Sequence, residues 1–260
     1  PQFVRNKMER LLQKAISLDS NNSDAYWVRS SFNLYFKWDI KSSLADLHTA
    51  EKLSPSKADF GHQFQVTLCA DGKFDESLRK SLFYFNLDRN IPSNWVGLGN
   101  SYYYAGQNKK ALEVLESAIK FLNAKYLSNE HEAEMELGQL KIFEKDWAGA
   151  INILKPMSQA GYPLFNGYIG IANAHLGQKS EALARLKILC MQSEQSALGS
   201  PAYFAAAVYV ALGEDDLAIR WLEVAYQHHE VEMFWLKVTP LFDPIRQDSR
   251  FIGILRRIDL

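Results

Sequence analysis

Residues 92–123 read PSNWVGLGNSYYYAGQNKKALEVLESAIKFLN, and this stretch decides the fold. Trp95, Leu98 and Tyr102 stand three and four residues apart, so on a helix they form one apolar stripe. Gly99 sits within that stripe and removes a side chain where a second helix has to come close. Ala105-Gly106 then stops the helix, because glycine takes the left-handed conformation of a helix end without strain. Beyond the turn, Ala111, Leu115 and Ala118 recur at helical spacing and make a complementary stripe, small where two backbones cross. One helix pair cannot bury both stripes, so further pairs must stack beside it.

Working outward, the small residue that opens the second stripe recurs at Ser43, Ser77, Ala111, Ala150, Ala182 and Ala218, with gaps of 34, 34, 39, 32 and 36 residues. The turns ahead of it read Asp71-Gly72-Lys73-Phe74, Gly106-Gln107-Asn108, Glu144-Lys145-Asp146-Trp147, Gly177-Gln178-Lys179 and Gly213-Glu214-Asp215; all but the third carry the expected glycine. The first unit turns instead at Phe36-Lys37-Trp38-Asp39 and closes at Leu53-Ser54-Pro55, where proline ends the helix. The longest gap places a longer loop near Asn123 to Asn129 and a break between two blocks of repeats.

The spacing W-x2-L-G-x2-Y at Trp95, Leu98, Gly99 and Tyr102, followed by Ala111 and Ala118, resembles the tetratricopeptide repeat (TPR) over about residues 3–230. The resemblance implies an all-α, right-handed TPR superhelix of six helix pairs. The expected divisions are a leading half-repeat helix over 1–22, three repeats over 23–123, three more over 124–231, and a C-terminal cap over 232–260. Met8, Leu11, Leu12 and Ala15 share a face of the leading helix, whose partner helix is expected upstream of Pro1. The chain opens on Pro1 without a basic-then-apolar leader, as an excised or processed fragment would. After Tyr226 the register is lost; Phe234-Trp235-Leu236, Pro240-Leu241-Phe242-Asp243-Pro244 and a short helix from Ser249 to Arg257 read as a cap over the last repeat's apolar edge.

Composition narrows the function classes. In 260 residues, 47% hydrophobic, 29 basic side chains face 30 acidic ones and leave a formal charge of −1, which disfavours nucleic-acid binding through a basic surface. The longest apolar run, Ala202 to Leu212, falls short of the roughly 20 residues that span a bilayer. Cys69 and Cys190 lie far apart in apolar helical stretches and read as buried thiols rather than a disulfide, which favours the cytoplasm, with the periplasmic domain of a membrane-anchored regulator as the alternative.

No chemistry is legible. His48, His62, His131, His175, His228 and His229 lack metal-ligand spacing: the last two would point about 100 degrees apart on a helix, and His131-Glu132 lacks a second histidine. Gly97-Leu98-Gly99 belongs to the packing stripe, and no nucleophile elbow or phosphate loop occurs. The expectation is a protein that is not an enzyme and has no cofactor and no metal.

The TPR resemblance implies that a partner lies in a concave groove made by the first helix of each pair. The positions it marks are Val28, Phe32, Tyr35 and Phe36; His62, Val66 and Cys69; Val96, Asn100, Tyr103 and Tyr104; Met135, Gln139, Ile142 and Phe143; then His175 and Tyr203. A chaperone-type carboxylate clamp would need lysines where Val96 and His62 stand, although Asn100 matches its asparagine. An apolar or aromatic-rich peptide or partner domain is expected instead, with Asn100 and Gln139 bonding its backbone. Tyr103 and Tyr104 are the strongest candidates, since three adjacent tyrosines cannot all enter one core.

The turn Phe36 to Asp39 and the helix from Leu44 to Pro55 that follows it, with Trp235-Leu236-Lys237-Val238, Phe242 to Arg246 and Arg250-Phe251, further resemble the C-terminal TPR segments of bacterial signalling and transcription-regulator proteins. That likeness implies the regulatory part of a longer chain, with another domain of the same chain as a possible partner. The alternatives are a homo-oligomerisation module, in which the leading helix or the Trp235 tail meets a second copy, and, more remotely, RNA reading by helical repeats.

Overall fold

A computed structural model describes residues 2–124, 132–195 and 199–260. Among them the regular structure is helical throughout, and no strand occurs. A leading helix α1 (Gln2–Leu18) is followed by six pairs: α2 (Ser23–Lys37) with α3 (Ile40–Leu53), α4 (Phe60–Ala70) with α5 (Phe74–Leu87), α6 (Pro92–Tyr104) with α7 (Asn108–Ala124), α8 (Glu132–Phe143) with α9 (Trp147–Leu154), α10 (Pro163–His175) with α11 (Lys179–Glu194), and α12 (Pro201–Ala211) with α13 (Asp215–His228). Two 3-10 turns, Val231–Trp235 and Pro240–Ile245, lead to α14 (Ser249–Arg257). This is an all-α, helix-pair solenoid with a leading half-repeat and a C-terminal capping helix, as the period requires. No helix among the described residues is long and apolar enough to cross a membrane.

The register rests on the small residues. Ser43, Ser77, Ala111, Ala150, Ala182 and Ala218 are all completely buried. In the early repeats the hydroxyls also bond forward: Ser43 Oγ lies 3.3 Å from Thr67 Oγ1, and Ser77 Oγ lies 2.8 Å from Ser101 Oγ. Close approach depends on glycine at Gly138, the position that corresponds to Gly99, and also at Gly167, outside that pattern. A Cβ on Gly138 would fall 2.4 Å from Leu154, and one on Gly167 would fall 2.4 Å from Phe204.

Every turn within a pair passes through a left-handed residue. Gly72, Gly106, Gly177 and Gly213 have φ between 73° and 81°, and the two turns without glycine reach the same region at Trp38 (φ 58°) and Lys145 (φ 63°). Asp39 and Asp146 follow those two residues and cap the next helix by accepting the amides of Ser42 (2.9 Å) and Gly149 (3.0 Å). The turn geometry is thus constant while its residue type varies.

The chain divides into two units, Pro1–Val114 and Leu115–Leu260. In the first, Phe60, Phe64, Tyr84, Leu34, Leu47 and Leu68 are fully buried, and the Tyr84 hydroxyl reaches Glu51 (2.8 Å), which also accepts from Lys80 (2.5 Å). Trp95 meets Phe85 edge to face at 4.7 Å and donates its indole N–H to Arg89 O (2.8 Å). On α1, Met8, Leu12 and Ala15 are half-buried, whereas Phe3, Leu11 and Leu18 are exposed.

In the second unit, Leu154, Ile169, Phe234, Phe242 and Phe251 are buried. The cap covers the last pair as its apolar sequence implies: Phe242 packs between Tyr203 (5.2 Å) and Phe251 (6.0 Å). Arg246 pins the cap by donating to the carbonyls of Leu236 (3.2 Å), Lys237 (2.8 Å) and Thr239 (2.5 Å). Two expectations change in detail. Helix α13 runs two residues past Tyr226, and His229 is not helical at all: with φ 56° it is the left-handed residue that ends α13. Helix α7 continues to Ala124, and the rest of the loop expected near Asn123 to Asn129, with His131, lies outside the described residues.

Candidate functional site

Unit by unit, the residues marked in the sequence separate by exposure. In the first unit, α2 and α4 bury Phe32 and Val66, while Tyr35, Phe36, His62, Asn100, Tyr103 and Tyr104 are half-buried. Phe32 stacks on Phe36 (5.6 Å) with the Lys37 amine above it, so two of these rings pack on one another. Tyr104 stacks on Phe74 at the start of α5 (5.4 Å, planes 19° apart) and meets Tyr103 edge to face. The first helices α4 and α6 touch through Gly97, whose position for a Cβ is 3.7 Å from the Cα of His62. A cavity of about 360 Å³ lies between α1, α2 and α3, but its polar wall is self-satisfied: Arg29 grips Asp46 with two bonds (2.8 and 2.5 Å), and Asn33 adds a third (3.0 Å).

In the second unit the first helices and the cap line a cleft of about 430 Å³. Three first helices build it: the end of α8 supplies Ile142 and Phe143, α10 supplies Ile171 and His175, and α12 supplies Ala207 and Val210. The cap closes one side with Pro240, Leu241 and Pro244. Of the residues marked in the sequence, Phe143 and His175 come together here, with Ile142 beside them. Met135 and Gln139 are half-buried two turns and one turn earlier on α8. Tyr203 is buried against Phe204 and Phe242, because the cap lands on it, and offers no surface to a partner.

Sequence reasoning missed Lys145, Trp147 and the cap's contribution. The sequence shows Lys145 and Trp147 only as parts of a turn, and Pro240 to Pro244 only as a lid. The available signal was Lys145 itself, a lysine where most turns of the series place glycine. Trp147 stacks flat on His175, with ring centroids 4.2 Å apart. Burial of the imidazole, reinforced by the Lys145 charge, holds His175 below its ordinary range and favours its neutral form. The cleft's carboxylate, Asp243, is already held by Arg246 at 2.7 and 2.9 Å.

Among the described residues no group of histidine, cysteine, aspartate or glutamate could hold a metal ion. Cys69 and Cys190 are free thiols, and burial pushes Cys69 up to about 11, far from a reactive thiolate.

No family model and no curated protein matches the chain. Solved structures do. Human IFIT1, in a dimer with m7Gppp-AAAA, matches with a TM-score of 0.64 at 14% identity over 98% of this chain and 63% of its own. The Cut9–Hcn1 hetero-tetramer of the APC/C matches with a TM-score of 0.59 at 15% identity over 98% of this chain and 53% of its own. A tetratricopeptide repeat protein from Parabacteroides merdae matches with a TM-score of 0.51 at 13% identity, covering 91% of this chain and 92% of its own. The chain therefore spans about half the length of the Cut9–Hcn1 chain. Identities this low carry the fold alone, and the fold is the TPR-like α-solenoid.

Proposed function

We propose that this chain is a non-catalytic protein-interaction scaffold that holds an extended, apolar or aromatic-rich segment of a partner along the inner face of its first helices. The observation that carries the reading is the cleft of the second unit, whose walls come from α8, α10, α12 and the cap and are mostly apolar. In the first unit the same role falls to the half-buried Tyr35, Phe36, His62, Asn100, Tyr103 and Tyr104. Phe32, Val66 and Tyr203 shape the surface from below. The partner belongs to the pathway of a larger bacterial signalling protein of which this chain is the regulatory part, a reading supported by the sequence of the Phe36–Asp39 turn and of the cap.

The test is selection of a random dodecapeptide library on the 260-residue chain. Apolar or aromatic peptides should be enriched, and their binding should fall at least fivefold in Phe143→Ala and Leu241→Ala with helicity unchanged. An unenriched library, or enriched peptides indifferent to both substitutions, would sink this reading of the cleft. A second reading, self-association through α1, is favoured by the exposure of Phe3, Leu11 and Leu18 on one helix. It predicts a concentration-dependent dimer in sedimentation equilibrium that Leu11→Glu with Leu18→Glu abolishes; a monomer at all concentrations rejects it.

A further inference from the structure

The cleft is not electrically neutral, and among the described residues that line it one charge is uncompensated, in an unusual place. Among the six turns that join the helices of a pair, four use glycine for the left-handed residue. A side chain there costs roughly 1–3 kcal/mol of backbone strain. At Trp38 that cost is offset by burial, since the indole is only 5% exposed. Lys145 has no such compensation: its side chain is exposed. Nor, among the described residues, does a carboxylate answer it. The adjacent Asp146 is taken by Lys141 (3.1 Å), and Asp243 across the cleft is taken by Arg246. His175 adds no second cation while it stays neutral against Trp147.

The same inner face already holds one peptide segment, the chain's own. Along Pro240–Ile245 the cap lies on α12, turns Phe242 into the core beside Tyr203, and leaves Asp243 outside on a guanidinium. Apolar side chains go inward and an acid goes to a cation at the rim. Next to it, α10 and α8 continue the apolar wall through Ile171 and Phe143, and Lys145 stands at the rim as the cation without an acid.

We propose that the occupant of this cleft is an extended apolar peptide segment bearing an aspartate or glutamate, whose carboxylate pairs with Lys145 while its apolar residues lie against Phe143, Ile171 and Leu241. The proposal rests on the interaction reading above and specifies the partner's chemistry. The lysine is kept in a strained turn because the backbone there aims it over the cleft.

The test uses the peptides enriched from the dodecapeptide library on the full chain, resynthesised with each Asp or Glu and with its Asn or Gln counterpart, and measured by fluorescence polarisation. Acidic residues should be enriched among the apolar ones. The amide counterpart should bind about tenfold more weakly to the native chain and equally to Lys145→Gln and Lys145→Gly, the second of which also relieves the turn. Apolar peptides that bind through Phe143 and Leu241 without acid enrichment, or with unchanged affinity in both Lys145 variants, would overturn the proposal and leave the scaffold reading standing. Acidic peptides unaffected by Phe143→Ala would place their site elsewhere and overturn it too.

Discussion

The imidazole of His175 lies parallel to the indole of Trp147, with centroids 4.2 Å and planes 13° apart. Helix α10 and the first residue of α9 meet at this stack. Burial and the Lys145 charge both push the imidazole toward its neutral form. Lys145→Gly should raise the His175 pKa, and Lys145→Glu should raise it further. Titration of the His175 Cε1 proton by NMR reads this directly; an unchanged or lowered value would show that Lys145 does not face the ring.

Stability should respond in opposite directions at the two turns that lack glycine. Lys145→Gly is expected to stabilise the chain by about 1 kcal/mol, because it removes left-handed strain and no buried contact. Trp38→Gly removes the same strain but also a buried indole, and should destabilise by about 3 kcal/mol. Urea denaturation of both variants separates the two terms.

Arg246 donates to three cap carbonyls and to Asp243, so no neutral side chain can replace its fork of donors. Arg246→Ala should cost about 2 kcal/mol, and Arg246→Lys should recover only part of it. Hydrogen exchange should show the loss confined to residues 232–246 and α14. Uniform loss across the second unit would mean that the cap does not open separately.

The cap junction should also sense pH. Glu230 accepts the amides of Ala202 (3.0 Å) and Tyr203 (2.7 Å) at the start of α12, whereas Glu232 has a buried Oε2 without a partner. Desolvation first, and then the Glu230 charge, push Glu232 up to about 7. A raised carboxylate favours the folded state while protonated. Its contribution is therefore fully present below about 4.5, the ordinary carboxylate range, and is lost as pH rises through 7. Tyr203, facing from α12, is pushed up by burial and by the Glu232 charge and stays neutral across this range. Glu232→Gln should match the native chain at pH 4.5 and exceed it by about 2 kcal/mol at pH 8. Equal pH profiles would mean that Glu232 is solvated.

Glycines of one type should diverge in effect. Gly138→Ala drives a methyl into the buried Leu154 and should cost about 2 kcal/mol. Gly253→Ala, on α14 with nothing within 4 Å, should gain about 0.5–1 kcal/mol from helix propensity. Thermal denaturation of the pair checks the packing argument against propensity alone.

These outcomes divide along the line between what is local and what is not. Helix pairing, the six buried small residues from Ser43 to Ala218, the leading half-repeat and the Ser249–Arg257 cap helix were all legible in the sequence. Each depends on a periodic spacing or on a turn that must pass through the left-handed region, and both are properties of neighbouring residues. The inner face was legible only as a set of positions. Whether a position is open depends on residues far away: the Phe242 ring, 39 residues on, buries Tyr203, and Arg246 holds that ring's loop in place. The same docking makes Leu241 and Pro244 one wall of a cleft whose other wall ends at Lys145. Sequence alone therefore determined the repeat, because helix packing is set by short-range periodicity. Tertiary structure alone decided where that repeat stays uncovered, because the cap lies outside the period and its landing place is fixed by shape and by buried polar contacts.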